Sequence, residues 1–417
     1  MVGGRDMNNI YTGIDVGTDS VKIVVVEKIK NSFNLLASSV TPTTHIHHGE
    51  VTNVRGLSKD IRDGLNDIED MLGLKIDKAI SCLNPIDLHM DIVHGSVEVE
   101  DPNNISGVDI SNLLNETISS IDFGEQELVT STPINFVVDG VKKVYDPKGI
   151  AGKTLESKIV ISSINKSSMY KMLEAIKLAG VDSVDVCFKS TGDYYTIKNE
   201  GYDKEVGAVI NIGEDSTNVA IFNKGIQIKN NVINVGSVHV DRDISYMFNC
   251  NNDVARGVKE EFAYAFADDA DENEEMTIKD REGADKVLKQ EGVSKVVEAR
   301  VREILKLSYD EIKNLTNRKI SYIIITGGLS EMNGMDHLVE IYFNGLCKVC
   351  KINVMGIRHN KYSSALGSCI YFDDKLTLRG KSYNMVNSEK FNNIISTEGM
   401  STNDGFVSKM FGRFFDV

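Results

Sequence analysis

No run of about eighteen apolar residues occurs in the 417-residue chain, so no segment reads as a membrane-crossing helix. Basic excess is lacking as well. Against 61 Asp and Glu stand 46 Lys and Arg, and a net charge of −15 argues against a nucleic-acid partner, whose grip rests on basic patches. The opening stretch, Met1–Asn9, has no apolar signal-peptide core and reads as a short lead-in. Cysteine is scarce and scattered: the six are Cys82, Cys187, Cys250, Cys347, Cys350 and Cys369, a distribution that suits a reducing cytoplasm better than a disulfide framework. Cys347 and Cys350 form the sole CxxC, and no second ligand pair lies at zinc-site spacing. His45, His47 and His48 also lack a matching ligand elsewhere, and read as a solvated turn.

What is present is a soluble globular composition, 41% hydrophobic and 26% charged, long enough for two to four domains. One unit is built twice. Tyr11–Val25 reads YTGIDVGTDSVKIVV and Gly207–Phe222 reads GAVINIGEDSTNVAIF. Each is an apolar strand, a Gly-containing Ser/Thr turn and a second apolar strand, the pattern of a hairpin. Backbone N–H groups in such a turn can converge on an anion, because glycine lets phosphate oxygens approach the chain. A separation of roughly 200 residues suits two duplicated domains, which would grip a nucleotide's phosphates from both sides.

Taken in order, the chain predicts a strand over Ser32–Val40, a helix over Ser58–Leu72 ended by Gly73, and a strand over Lys78–Leu83. Residues 84–161 change character, with strand-like Leu88–Val99, Leu128–Val138 and Lys158–Ile161 around a helix over Val108–Ile121: a compact α/β insertion. Helix Asn165–Ala179, strand Val184–Phe188 and a crossover from Tyr194 lead to the second hairpin. Strand Ile226–Asn234, helices Val240–Phe248 and Asn252–Tyr264, an acidic loop Asp268–Glu275 and a long helix Val293–Leu315 follow. The continuous apolar run at 321–326 reads as a strand buried on both faces, and it ends in Gly327-Gly328, where backbone can meet a base or ribose. Helix Gly334–Phe343, strand Lys351–Met355 and helix Ser363–Tyr371 complete the globule. Residues 373–404 are polar and weakly patterned, a tether. In the last thirteen, Phe406, Val407, Met410, Phe411, Phe414, Phe415 and Val417 share one half of a helical wheel, with Ser408, Lys409, Gly412, Arg413 and Asp416 on the other. Such a helix can lie in a bilayer interface with Lys409 and Arg413 toward anionic headgroups, or dock on protein.

The ordered set of hairpin, hairpin and Thr326-Gly327-Gly328 resembles the actin-like ATP-binding superfamily, and within it the FtsA family of bacterial division proteins. Pro133, Phe136, Val138, Asp139 and Gly140, then Pro147, Gly149, Gly152, Leu155 and Glu156, are similar to the domain that FtsA inserts where actin has a different subdomain. The resemblance implies an α/β fold of duplicated, ribonuclease-H-like domains with an SHS2-like insertion. Its implied division is 1–83 with 162–198 (1A), 84–161 (1C), 199–240 with 321–372 (2A), 241–320 (2B), linker 373–404 and membrane helix 405–417. It also implies ATP and Mg²⁺ as cofactors. Asp15, Gly17, Thr18, Asp19 and Lys22 match the first phosphate motif, with Asp15 toward the metal. Asn211, Gly213, Ser216 and Thr217 match the second. Lys259 and Glu260 reach the ribose, and Gly327, Gly328 and Asn333 the adenosine.

The second hairpin departs from the family's usual Asp-Ile-Gly-Gly-Gly-Thr-Thr-Asp: Asn211 and Asn218 replace flanking aspartates, and Glu214 and Asp215 stand in the turn. Like charges ~4 Å apart repel by about 4 kcal/mol at an effective dielectric near 20, so weak nucleotide use with little hydrolysis is expected. No catalytic residue is identifiable. The partners implied are the C-terminal tail of the tubulin-like FtsZ, further copies of the chain in a filament, other division proteins and an anionic membrane surface. Arg300, Arg302 and Lys306 are candidates for meeting the acidic tail. The implied location is the cytoplasmic face of the cell membrane at the septum. A pilus-assembly relative, PilM, and a true ATPase remain the alternatives. A kinase of the same superfamily would need a group to deprotonate its substrate hydroxyl, and none is evident.

Overall fold

The computed structural model describes residues 9–378 and 382–385. Two five-stranded sheets share one plan. In the first the order is Asp182–Phe188, Lys78–Leu83, Asn9–Val16, Ser20–Ile29, Ser32–Pro42. In the second it is Cys347–Val349, Tyr322–Thr326, Val206–Ile212, Thr217–Asn223, Ile226–Ile233. Each has an antiparallel three-strand meander on one side, extended by two parallel strands on the other. The duplication read from the hairpins therefore extends to whole lobes. The central strands are buried on both faces, which is why Ile23–Val26 and Tyr322–Ile325 are unbroken apolar runs.

The lobes differ in where extra chain enters. In the first, an antiparallel sheet ordered His89–Glu98, Thr154–Asn165, Gln126–Val138, Lys142–Val144 follows the fourth strand, with the helix Gly107–Ser119 packed on it. Ser106 and Asp109 close a capping box at that helix's start, so the sequence sets its boundary. In the second, extra chain follows the third strand: helices Ser237–Phe248 and Asn252–Glu261, the hairpin Glu275–Lys279 with Asp285–Lys289, then the helix Gln290–Leu315.

After its last strand each lobe ends in a helix, Lys189–Ile197 in the first and Ser363–Leu378 in the second, and these two cross between the lobes. Glycines let them touch backbone to backbone. A Cβ on Gly367 would lie 1.7 Å from the Gly192 carbonyl oxygen, and one on Gly13 would lie 2.2 Å from that of Ala365.

Several expectations shift. The first long helix begins at Val54, since the Asn53 side chain caps it by accepting from the Gly56 amide. The acidic loop expected at Asp268–Glu275 leads into an unforeseen hairpin, 275–289, that buries little beyond Ile278 and Leu288, too little to leave a strand pattern. The expected strand Lys351–Met355 is absent: the edge strand is Cys347–Val349, and 351–355 carries only isolated bridges. The last helix runs on to Leu378, into the stretch read as linker, and Met385 returns to the first lobe, where its amide donates to the Ile10 carbonyl at 3.1 Å. The amphipathic segment 405–417 lies outside the described residues, and with it Phe406, Val407, Lys409, Met410, Phe411, Arg413, Phe414 and Phe415. Among the described residues no helix is long and apolar enough to cross a membrane. All six cysteines are free and buried, and burial pushes the Cys350 thiol up to about 12.

Candidate functional site

The two repeated hairpins turn in the same way. In the first, Gly17 donates its amide to the Ser20 carbonyl at 2.9 Å; in the second, Gly213 donates to Ser216, also at 2.9 Å. Strand Tyr322–Thr326 runs parallel to Val206–Ile212 and ends beside this turn at Gly327, whose φ of 93° is one an L side chain rarely adopts. A Cβ there would fall 2.5 Å from the Ile212 carbonyl oxygen, so only glycine lets the third segment approach the second. Gly328, one residue on, has open space where a side chain would be. Between the hairpins and this turn lies a cavity of about 450 Å³. Asp15, Gly17, Thr18, Asp19 and Lys22 line it from the first lobe; Asn211, Gly213, Ser216, Lys259, Glu260, Gly327, Gly328 and Asn333 line it from the second. Thr217 does not reach it: its hydroxyl is buried behind the wall, donating to the Val235 carbonyl at 2.7 Å.

Most charges of the site are paired within the protein. Lys189, from the crossing helix, lies 2.8 Å from Asp15 and donates to the Val16 carbonyl at 2.7 Å. Lys22 lies 3.2 Å from Asp19. Burial alone would raise the Asp19 pKa, but the charge and hydrogen bond of Lys22, with hydrogen bonds from Ser20 and the backbone, together outweigh it and hold the carboxyl below its ordinary range. Buried Lys259 meets buried Asp241 at 2.7 Å. Glu214, expected to repel polyphosphate, is paired with Arg256 and accepts from the Ser237 hydroxyl at 2.9 Å. Asp215 reaches across to the first lobe, where it accepts from the Thr18 hydroxyl and from the backbone amide of His48, both at 3.0 Å. The histidine loop is the solvated turn expected, with His47 and His48 exposed, and through the His48 amide it also borders the cleft.

Asn211 has a counterpart that its sequence neighbourhood does not reveal. Its amide nitrogen donates to Asp193 at 2.7 Å, and the other oxygen of Asp193 accepts from Ser363 at 2.6 Å and Ser364 at 2.8 Å. An aspartate at 211 would set two carboxylates against each other at this contact; with asparagine there, the acid of the pair stands on the crossing helix. Desolvation raises the Asp193 pKa to about 6, against the three hydrogen bonds that lower it and with Asp15 adding to the rise.

These residues fit the two halves of Mg²⁺–ATP unequally. The glycine-walled end, open at Gly328, can take a base and ribose. Asp15, expected to face a metal, is instead closed by the Lys189 ammonium, which already supplies the positive charge a metal would bring. The cations expected to meet an acidic tail are also engaged. Arg300 holds both oxygens of Asp243 at 2.6 and 3.0 Å, Arg302 meets Glu298 at 2.6 Å and Lys306 meets Asp310 at 3.0 Å. Lys306 is the most exposed of them, its side chain 69% accessible, and an exposed ion pair of that kind is weak. Sequence reading missed Lys189, Asp193 and Arg256, because their partners lie on other elements.

A family model described as "Cell division protein FtsA" matches residues 208–367. A second, described as an SHS2 domain inserted in FtsA, matches 87–163, the four-stranded insertion. Together they span more than half of the chain. A cell division protein FtsA of Staphylococcus epidermidis is 29% identical over 401 residues, covering 93% of this chain and 84% of its own. That of Bacillus subtilis is 26% identical over 367 residues, with 86% and 82% covered. Among solved structures, a PilM–PilN type IV pilus biogenesis complex aligns with a TM-score of 0.60 at 15% identity, covering 87% of this chain and 98% of that one. MreB5 of Spiroplasma citri bound to ADP aligns at 0.52 and 12% identity, with 88% and 97% covered. At such identities the two likenesses show a common, actin-like fold.

Proposed function

We propose, from the premise that the chain belongs to the FtsA family of actin-like cell-division proteins, that it is a membrane adaptor carrying a nucleotide in its interlobe cleft. It binds the tail of FtsZ through the lobe built on Gln290–Leu315, associates with further copies of itself, and is held at the inner face of the cytoplasmic membrane by residues 405–417. The observation that carries this reading is the convergence of three segments distant in sequence, 15–22, 211–216 and 327–333, on one cleft of about 450 Å³. Such a cleft suits a nucleoside polyphosphate, with glycine backbone at the base end and paired turns at the phosphate end.

Hydrolysis has little support in the site. Asp15 is committed to Lys189 and Asp193 is sealed beneath Asn211, which leaves neither carboxylate free to orient an attacking water. Binding rather than turnover is the proposed role of nucleotide. The alternative of a PilM-like role shares the fold and the inserted domain but gives no part to the Phe-rich tail.

Deleting 405–417 tests the anchor. The full chain should co-sediment with vesicles containing anionic lipid, and the truncated chain should stay in the supernatant. Equal sedimentation of the two would remove the anchor. For the cleft, titration with a fluorescent ATP analogue should saturate with and without Mg²⁺, and a multiple-turnover phosphate assay should stay near background. Steady phosphate release would overturn the non-hydrolytic reading.

A further inference from the structure

The two turns are equivalent position by position, so Asp215 occupies in the second the place of Asp19 in the first. Three residues beyond Asp19 stands Lys22, which holds that carboxylate back at 3.2 Å. Three residues beyond Asp215 stands Asn218, which has no charge to offer. Asp215 therefore leaves its own turn and crosses the cleft. One oxygen takes the Thr18 hydroxyl and the other the His48 amide, each at 3.0 Å, with the His48 imidazole 3.6 Å away. The residue is only 8% exposed. Thr18 is a donor that the nucleotide reading assigns to phosphate, and here a carboxylate of the protein already has it.

We propose that Asp215 is a resident substitute for the terminal phosphate of a nucleoside triphosphate, and that it sets the phosphate specificity of the cleft. Like a phosphate oxygen, its carboxylate accepts from donors on the opposite lobe and ties the two hairpins together. A triphosphate can reach Thr18 only by displacing the carboxylate, breaking both hydrogen bonds and meeting its charge. A diphosphate leaves the tie in place. The cleft therefore closes without nucleotide and prefers the diphosphate, and ATP loosens it. The nucleotide half of this inference rests on the cleft's being a nucleotide site; the latch itself does not.

The test uses the full chain and its Asp215→Asn and Asp215→Gly variants, each checked for native circular dichroism. Without nucleotide, hydrogen exchange of the peptide spanning His45–Glu50 should be faster in the glycine variant than in the wild type, because the His48 amide loses its acceptor. With N-methylanthraniloyl ATP and ADP as probes, the glycine variant should bind ATP tighter by about tenfold or more while ADP changes less than about threefold. The asparagine variant, which keeps an acceptor but no charge, should fall between. Unchanged exchange at His45–Glu50, or equal changes for ATP and ADP, would overturn the proposal. Faster exchange with no binding of either probe by any of the three proteins would keep the latch and remove the nucleotide reading. Equal binding of both probes by all three would keep the nucleotide reading and remove the phosphate specificity proposed for Asp215.

Discussion

Gly367→Val should lower the stability of the full chain by more than about 4 kcal/mol, a large share of what holds a domain together. The cause is backbone against backbone. A Cβ on Gly367 would lie 1.7 Å from the Gly192 carbonyl oxygen and 2.4 Å from its carbon, and one on Gly192 would lie 2.4 Å from the Ser364 carbonyl oxygen. No side chain can swing away to relieve that contact. The two helices would have to separate, breaking the Ser363 and Ser364 bonds to Asp193 and the Thr196 hydroxyl's bond to the Ser363 carbonyl. Gly257 is the control: it too lies in a helix, but a Cβ there meets nothing within 4 Å. Gly257→Ala should be neutral or stabilise by about 0.5–1 kcal/mol through helix propensity. Urea unfolding followed by circular dichroism reads both variants. A Gly367→Val midpoint close to that of the wild type would show that the crossing is not the tight joint described.

Asp193→Asn should act the other way and stabilise the chain near neutral pH by up to about 3 kcal/mol. The Asp193 carboxyl is raised from 3.8 to about 6 by desolvation, so the folded protein holds this proton more tightly than the unfolded chain does. Folded protein thus binds more protons between those values, and the contribution of Asp193 to stability falls as pH rises through the window. Above it the whole penalty of a buried charge is present; below it the acid is neutral in both states and the penalty is gone. Asparagine has no such charge. Its carbonyl can take the two serine donors, and Asn211 can present its own carbonyl to the new amide by turning over. The difference in unfolding free energy between variant and wild type should be largest near pH 7 and shrink toward pH 4 as Asp193 protonates. A difference that stays flat with pH would mean that the carboxylate is not destabilised in the fold.

What the sequence disclosed follows from where the information resides. The repeated strands Asn9–Val16 and Val206–Ile212 are buried on both faces, so their apolar runs could hardly be read otherwise, and Gly327 sits where only glycine fits. The helix at Lys166–Leu178 was legible from its Met172 and Ile176 face, and its start from Asn165. The hairpin at 275–289 was not, because each strand buries a single side chain deeply and so writes no alternation. The charge pattern of the cleft was the least legible part. Glu214 and Asp215 could be seen in the turn, and their repulsion of phosphate was the natural inference. Arg256, 42 positions from Glu214, and Thr18, 197 positions from Asp215, change that meaning, and nothing local in the sequence joins them.

The six buried thiols provide six clocks. Each can react with a disulfide reagent in solution only while its surroundings are open, and by packing they divide evenly, three in or against the first sheet and three in the second lobe. Cys82, Cys187 and Cys369 belong to the first sheet and the helix laid on it; Cys250, Cys347 and Cys350 belong to the second lobe. The order in which they become modified, read by mass, reports whether the halves breathe together or one yields first.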